Sequence, residues 1–222
     1  QLDIKNVSSY DAGGLKALLL ETGLWPYIKQ RPYDRVANPA DTPRDIFVTA
    51  YNSAPLAPDF DFVVKGQAEA LQVGLSALAK LTNGKVFLGV KQGSALREMK
   101  EVEVVELAGP HPVGNAGVMI NHIKPVNKGE VVWTLHAADV LMMGRMLKDK
   151  KPDFTKVISL TGSEFRKCGY AKVIAGCTIN SIVKGNMSEG NVRLISGDVL
   201  TGAKVGTEDF LGAYAYQLTA IP

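Results

Sequence analysis

Residues 45–50, Asp-Ile-Phe-Val-Thr-Ala, and residues 85–90, Lys-Val-Phe-Leu-Gly-Val, are short apolar runs, each bounded by turn-forming residues. Between them Val64, Ala68, Leu71, Leu75 and Leu78 recur at steps of three and four, so a helix is expected from about Phe62 to Leu81, ended by Asn83-Gly84. Strand, helix, strand in that order is a crossover unit, and it predicts a largely parallel sheet covered by helices on both faces.

Working outward, the pattern repeats. A helix is expected over Asp11–Glu21, with Leu15, Leu18 and Leu19 on one side and Gly23 placed as a left-handed cap. From Leu24 to Arg44 four prolines (Pro26, Pro32, Pro39 and Pro43) predict a loop. Downstream come a short helix at Ala95–Met99, a strand at Glu101–Leu107, a Gly/Pro-rich loop and a helical piece at Val118–Ile123. Val131–Leu135 reads as a strand or a helix start, Ala137–Leu147 as a helix, and Lys156–Leu160 as the last strand of this region. Past Gly162 segments shorten and glycines recur at 169, 176, 185, 190, 197 and 202, with one short helix at Ile179–Val183. A compact α+β module is expected there, with a boundary near 161–168.

The chain has 222 residues, of which 46% are hydrophobic and 21% charged, enough to build a sizeable core and too apolar for disorder. No uncharged run approaches the ~20 apolar residues of a bilayer span. The longest candidates, Leu107–Ile123 and Phe210–Pro222, are broken by Gly, Pro and polar residues. Ion movement across a membrane is therefore not expected of this chain by itself. The net charge is +3, and the Lys148–Lys151 run is mixed with Asp149 and Asp153, so no nucleic-acid face is expected. The two cysteines, Cys168 and Cys177, form neither a disulfide framework nor a cluster ligand set; reduced thiols in a cytoplasmic protein are the simplest reading. The sequence starts without Met and reads as a piece of a longer chain.

Catalytic motifs are missing. His111, His122 and His136 have no shared helix spacing for a metal triad, and no nucleophile elbow, dinucleotide fingerprint or phosphate loop is present. Gly13-Gly14 is a weak phosphate-site candidate or simply a helix start. The loop Gly109–Gly117 follows a strand and precedes a helix, the place where open α/β sheets bind ligands; a rigid connection is the alternative. Trp25, Tyr27, Arg31 and Tyr33 group aromatic and basic side chains, suiting a flat ligand, a protein partner, or packing onto their own domain. Met142, Met143 and Met146 mark either a buried helix or an adaptable contact surface.

Several stretches together carry a family resemblance. DAGGLKALLLETGLWPYIKQRPYDRV (11–36), DIFVTAYNSAPLAPD (45–59), GPHPVGNAG (109–117) and PVNKGEVVWTLHAADVLMMGRML (125–147) resemble the A-subunit family of the bacterial sodium-translocating NADH:quinone reductase. ISLTGSEFRKCGYAKVIAGCTINSIV (158–183) and RLISGDVLTG (193–202) continue it. That family, longer at both ends, is similar to the C subunit of the Rnf complex and to the flavin-bearing NADH subunit of respiratory complex I.

The resemblance implies a Rossmann-like domain over 1–161 followed by a β-grasp, soluble-ligand-binding (SLBB-type) domain over 168–222. It implies a peripheral subunit on the cytoplasmic face of the bacterial inner membrane, docked on the other subunits of the complex and especially on a membrane subunit. FMN, FAD and a 2Fe-2S cluster would then sit on partner subunits, with none bound by this chain and ubiquinone possible at an interface. One departure bears on the chemistry. Where flavin-bearing relatives place a Gly-rich turn against the FMN phosphate, this chain has Glu21-Thr22-Gly23-Leu24-Trp25-Pro26-Tyr27. Bulky side chains cannot allow that close backbone approach. Expected quinone-proximal residues are Trp25, Tyr27, His111, Gly114 and Gly117, with Trp25 plugging an empty flavin cavity as the competing explanation. An active flavin- or nucleotide-binding oxidoreductase domain and a pure assembly scaffold remain as other functions.

Overall fold

The crossover unit at 45–90 sits at the centre of a six-stranded sheet in the computed structural model, which describes residues 3–222. Residues 1 and 2 of the expected first domain lie outside the described residues. The strands are β1 (Lys29–Arg31), β2 (Arg35–Val36), β3 (Ile46–Thr49), β4 (Val86–Lys91), β5 (Glu103–Leu107) and β6 (Val132–His136), in the order β2-β1-β6-β3-β4-β5. β6, β3, β4 and β5 are mutually parallel, while β1 and β2 extend the sheet as an antiparallel hairpin. Val131–Leu135 is thus a strand, displaced by one residue. The expected loop over 24–44 holds a single-turn 3-10 helix at Trp25–Tyr27 and that hairpin. Its prolines fall outside the paired residues, so they do not cost the strands a donor.

The central strands β6, β3 and β4 are buried almost throughout, and right-handed crossovers explain which helix covers which face. From β3 the chain moves outward to β4 through α3 (Ala68–Ala79), then returns from β5 to β6 through α4 (Ala116–Ile123). Opposite directions of travel put α3 and α4 on opposite faces. On the α4 face, Phe47 and Phe87 stack at 4.9 Å between centroids and pack with Met119, Ile120 and Val132. On the other face α5 (Ala137–Asp149) lies against α3. Its Met142, Met143 and Met146 are 0–2% exposed, so the methionines are core.

Two helix expectations bear on this layer. The single helix over 62–81 is broken into α2 (Phe60–Val63) and α3, because Gly66 takes a left-handed φ of 76° and the Gln67 amide turns back onto the Val64 carbonyl. α1 (Ala12–Glu21) is as expected, with Gly23 at φ 74° after its end.

The second unit comprises residues 54–59 and 154–222, and the first the residues up to Ser53 with 60–153. Its five-stranded sheet has the order β10-β9-β11-β7-β8, built from β7 (Thr155–Thr161), β8 (Gly169–Ile174), β9 (Arg193–Ser196), β10 (Ala203–Val205) and β11 (Gln217–Ile221). Only the β7–β11 pair is parallel. The short helix α6 (Ile179–Val183) packs Ile179 and Val183 onto Ile158, Leu194, Leu211 and Leu218, a β-grasp arrangement. Lys156–Leu160, read from sequence as the last strand of the first domain, lies inside this second sheet, paired with β11 on one side and β8 on the other. The glycine-rich composition begins after β7, whereas strand pairing, which decides membership, begins with it. Segment 54–59 joins the unit through the Gln217 amide on the Pro55 carbonyl (3.2 Å) and the Asp59 amide on the Tyr170 hydroxyl (2.9 Å).

Candidate functional site

Open α/β sheets bind ligands beyond the carboxyl ends of their strands, where strand order reverses. Here the reversal lies between β3 and β6. The chain leaving β3 runs through Ala50 and Tyr51 to Ser53, and the expected ligand loop Gly109–Gly117 comes to meet it. Ser53 Oγ accepts a hydrogen bond from the Gly114 amide at 2.9 Å and lies 3.1 Å from Nδ1 of His111. Gly114 is obligatory, since a Cβ there would lie 2.5 Å from the Tyr51 carbonyl oxygen and 2.7 Å from the Ser53 nitrogen. Gly117 is exposed, and a Cβ there would meet nothing within 4 Å. On the other side of the reversal, His136 caps α5 by accepting the Ala138 amide on Nδ1 (3.1 Å), and Phe60 meets its ring edge-on at 5.9 Å.

Trp25 and Tyr27 do not join this group. Trp25 is 2% exposed and Tyr27 8%. The Trp25 indole meets Trp133 edge to face at 5.4 Å and donates its N–H to the Ala37 carbonyl at 2.7 Å. Trp133 pairs with Ile46, the first residue of β3, whereas Ser53 lies beyond the last. The two expected loops therefore serve opposite ends of the sheet and share no site. The indole is packed as a plug, its one donor already spent.

The same stretch fails as a flavin cradle. A phosphate would need free backbone amides, but those of Thr22, Gly23 and Leu24 donate to the carbonyls of Leu18, Leu20 and Leu19, closing the end of α1. The Tyr27 amide is likewise taken up by the Leu24 carbonyl. Leu24 is fully buried. At the start of α1 the Asp11 carboxylate accepts the Gly14 amide at 2.7 Å, so Gly13-Gly14 is a capped helix start that repels anions.

Sequence reading missed a charged network at the amino ends of the strands. Asp45, fully buried, accepts the Lys85 amide (3.0 Å), the Arg44 Nε (2.7 Å) and the Lys124 ammonium (2.7 Å). Burial pushes its carboxyl up, but Lys124, the Lys85 amide and Arg44 outweigh that and hold it below the ordinary carboxylate value. Arg44 also ties Glu130 and the carbonyls of Lys124 and Pro125. Arg44, Lys124 and Glu130 line a cleft of about 700 Å³ with Asp41, Thr42 and Asn83. Every nitrogen of the Arg44 guanidinium has a partner, which makes the network a staple between the strand ends. Asp45 directly follows Arg44 at the start of an apolar run, the one local signal that could have drawn attention to it.

Residues 10–151 match the family model of the NqrA second alpha/beta domain, and residues 157–207 that of the NQRA C-terminal domain, an SLBB domain. The chain belongs to the NqrA family. Among curated NqrA relatives it is 36% identical to the A subunit of the Na(+)-translocating NADH-quinone reductase of Marinomonas sp. (strain MWYL1), over 96% of this chain and 50% of that protein. The corresponding protein of Pseudomonas aeruginosa (strain UCBPP-PA14) is 36% identical over 91% of this chain and 46% of its own length. For Vibrio vulnificus (strain YJ016) the identity is 32% over 100% of this chain and 50% of that protein. The chain spans about half the length of these NqrA relatives. A chain of an NAD+-reducing [NiFe]-hydrogenase in the H2-reduced state shares the fold, with a TM-score of 0.63 at 12% identity over 99% of this chain and 49% of that one. Among the described residues no helix is long and apolar enough to cross a membrane, and no group of three His, Cys, Asp or Glu side chains is placed to hold a metal ion.

Proposed function

We propose that this chain is the α/β and SLBB portion of the A subunit of a sodium-translocating NADH:quinone reductase, and that it works as a peripheral subunit without a cofactor of its own. Its relatives' shared name, matched across both domains, is the observation that carries this. Electron transfer from NADH and sodium export would then belong to partner subunits, with this chain docked on them at the cytoplasmic face of the bacterial inner membrane. The occupied amides at residues 22–24 support the absence of a flavin, because they leave nothing to hold its phosphate. The quinone-proximal surface we assign to the loop of His111, Gly114 and Gly117, at the carboxyl ends of the parallel strands; Trp25 and Tyr27 serve packing.

Two measurements test this. The purified chain, titrated with FMN and with NADH in a calorimeter, should give no saturable heat, and its visible spectrum should be colourless; micromolar flavin binding would restore the flavin-domain alternative. Photolabelling of the intact complex with a quinone azide should mark peptides of this chain that contain residues 109–117. Labelling confined to other subunits would leave a pure assembly scaffold.

A further inference from the structure

Ser53 stands between two groups of the carboxyl-end loop, the Gly114 amide and the His111 ring. A backbone N–H can only donate, so the 2.9 Å contact with Gly114 makes Ser53 Oγ an acceptor there. Its own proton then faces Nδ1 of His111 at 3.1 Å, and no other acceptor for it is found among the described residues. Were Nδ1 protonated, Oγ would receive two donors and leave its own proton without a protein partner. With Nδ1 as the acceptor, a neutral imidazole carries its proton on Nε2. Nε2 of His111 has no partner among the described residues. Gly114 cannot drift from this arrangement, because Tyr51 and Ser53 close around its Cα.

We propose that Ser53 is a positioning residue that fixes the tautomer of His111, so that Nε2–H is offered as a hydrogen-bond donor to a carbonyl oxygen of a bound quinone. The relay runs Gly114 N–H to Ser53 Oγ, Ser53 O–H to His111 Nδ1, and His111 Nε2–H to the carbonyl. The tautomer is argued from the two contacts of Ser53; the quinone as acceptor rests on the function proposed above. A quinone carbonyl carries lone pairs and no proton, so it needs a donor at this position. The opposite tautomer would present it with a lone pair.

The test is nitrogen NMR of the chain labelled with 15N-histidine, in alkaline buffer. The three histidines are assigned with His111→Gln and its two companion variants. His111 should show a protonated Nε2 and an unprotonated, hydrogen-bonded Nδ1. Ser53→Ala should raise the Nδ1–H fraction, and Ser53→Thr, which keeps the hydroxyl, should restore the wild-type pattern. Folding is read in the same spectra from the unchanged shifts of His122 and His136. A wild-type His111 protonated on Nδ1, or one indifferent to Ser53→Ala, overturns the positioning role. Titration with a short-chain ubiquinone analogue should then shift Nε2, with affinity about tenfold weaker in Ser53→Ala, the loss of one well-formed hydrogen bond. A Ser53-dependent tautomer with no quinone response overturns the quinone as its ligand, whereas a quinone response that ignores Ser53→Ala overturns the relay alone.

Discussion

Ala70 on α3 and Gly144 on α5 meet backbone to backbone: a Cβ at position 144 would lie 1.7 Å from the Ala70 carbonyl oxygen. One turn away Gly74 repeats the contact from the other side, its Cβ position being 2.3 Å from the Val140 carbonyl oxygen. Neither glycine has a left-handed backbone, so space alone demands them. Gly144→Ala should destabilise the chain by about 1–3 kcal/mol or more, since a core overpacked by one methyl must push the helices away from each other. Urea unfolding should show a lower midpoint at an unchanged slope; an unaltered midpoint would mean the helices separate freely.

Asp45 gives the first unit an acid-sensitive element. Its folded-state pKa lies below its unfolded value, so the unfolded chain binds the proton more readily. Its contribution is full above the unfolded value of about 4 and is lost as pH falls through the lower, folded value. Asp45→Asn should cost roughly 1–3 kcal/mol at neutral pH by weakening the bonds to Lys85, Arg44 and Lys124. It should also flatten the acid limb of stability below about pH 4. Parallel acid limbs for the variant and the natural chain would assign the loss to Asp198, where burial again raises the carboxyl and hydrogen bonds from Leu200 and Thr201 in its own turn outweigh it.

Trp25 and Trp133 are the chain's two tryptophans, and both are buried. Emission should be blue-shifted and iodide should quench it weakly. Trp25→Ala should cost about 3–5 kcal/mol, as for other buried aromatic truncations. Trp25→Phe should cost less and leave quinone affinity unchanged; a selective loss of quinone affinity in a fully stable Trp25→Phe chain would return that ring to the ligand site.

Gly114→Ala should displace the loop from Tyr51 and Ser53, costing about 1–3 kcal/mol. Gly117→Ala should be silent, because a methyl there meets open space. Limited proteolysis should cut the 109–117 loop faster in the first variant only. Equal cleavage of both would show that the loop is not latched through Gly114.

The β3–α3–β4 core was legible because apolar period and strand length are local properties; Leu71, Leu75 and Leu78 recur at helical spacing and form the buried stripe of α3. The break at Gly66 was not, since the same apolar spacing runs straight across it. Among the proposed site residues, the 109–117 loop was legible from its glycines and prolines, but Ser53 was not. A serine in a turn is ordinary until the fold returns a loop 61 residues further on to lie against its hydroxyl.

Sequence by itself determined the fold class and the family, because each is carried by residue type and spacing along the chain. Tertiary structure decided that Trp25 plugs one end of the sheet while His111 stands at the other, and that residues 155–161 belong to the second sheet. Those outcomes depend on which backbone amides and side chains find partners far away in sequence. A tryptophan's single N–H serves a ligand or a carbonyl with equal chemistry, and only the position of Ala37 settles which one receives it.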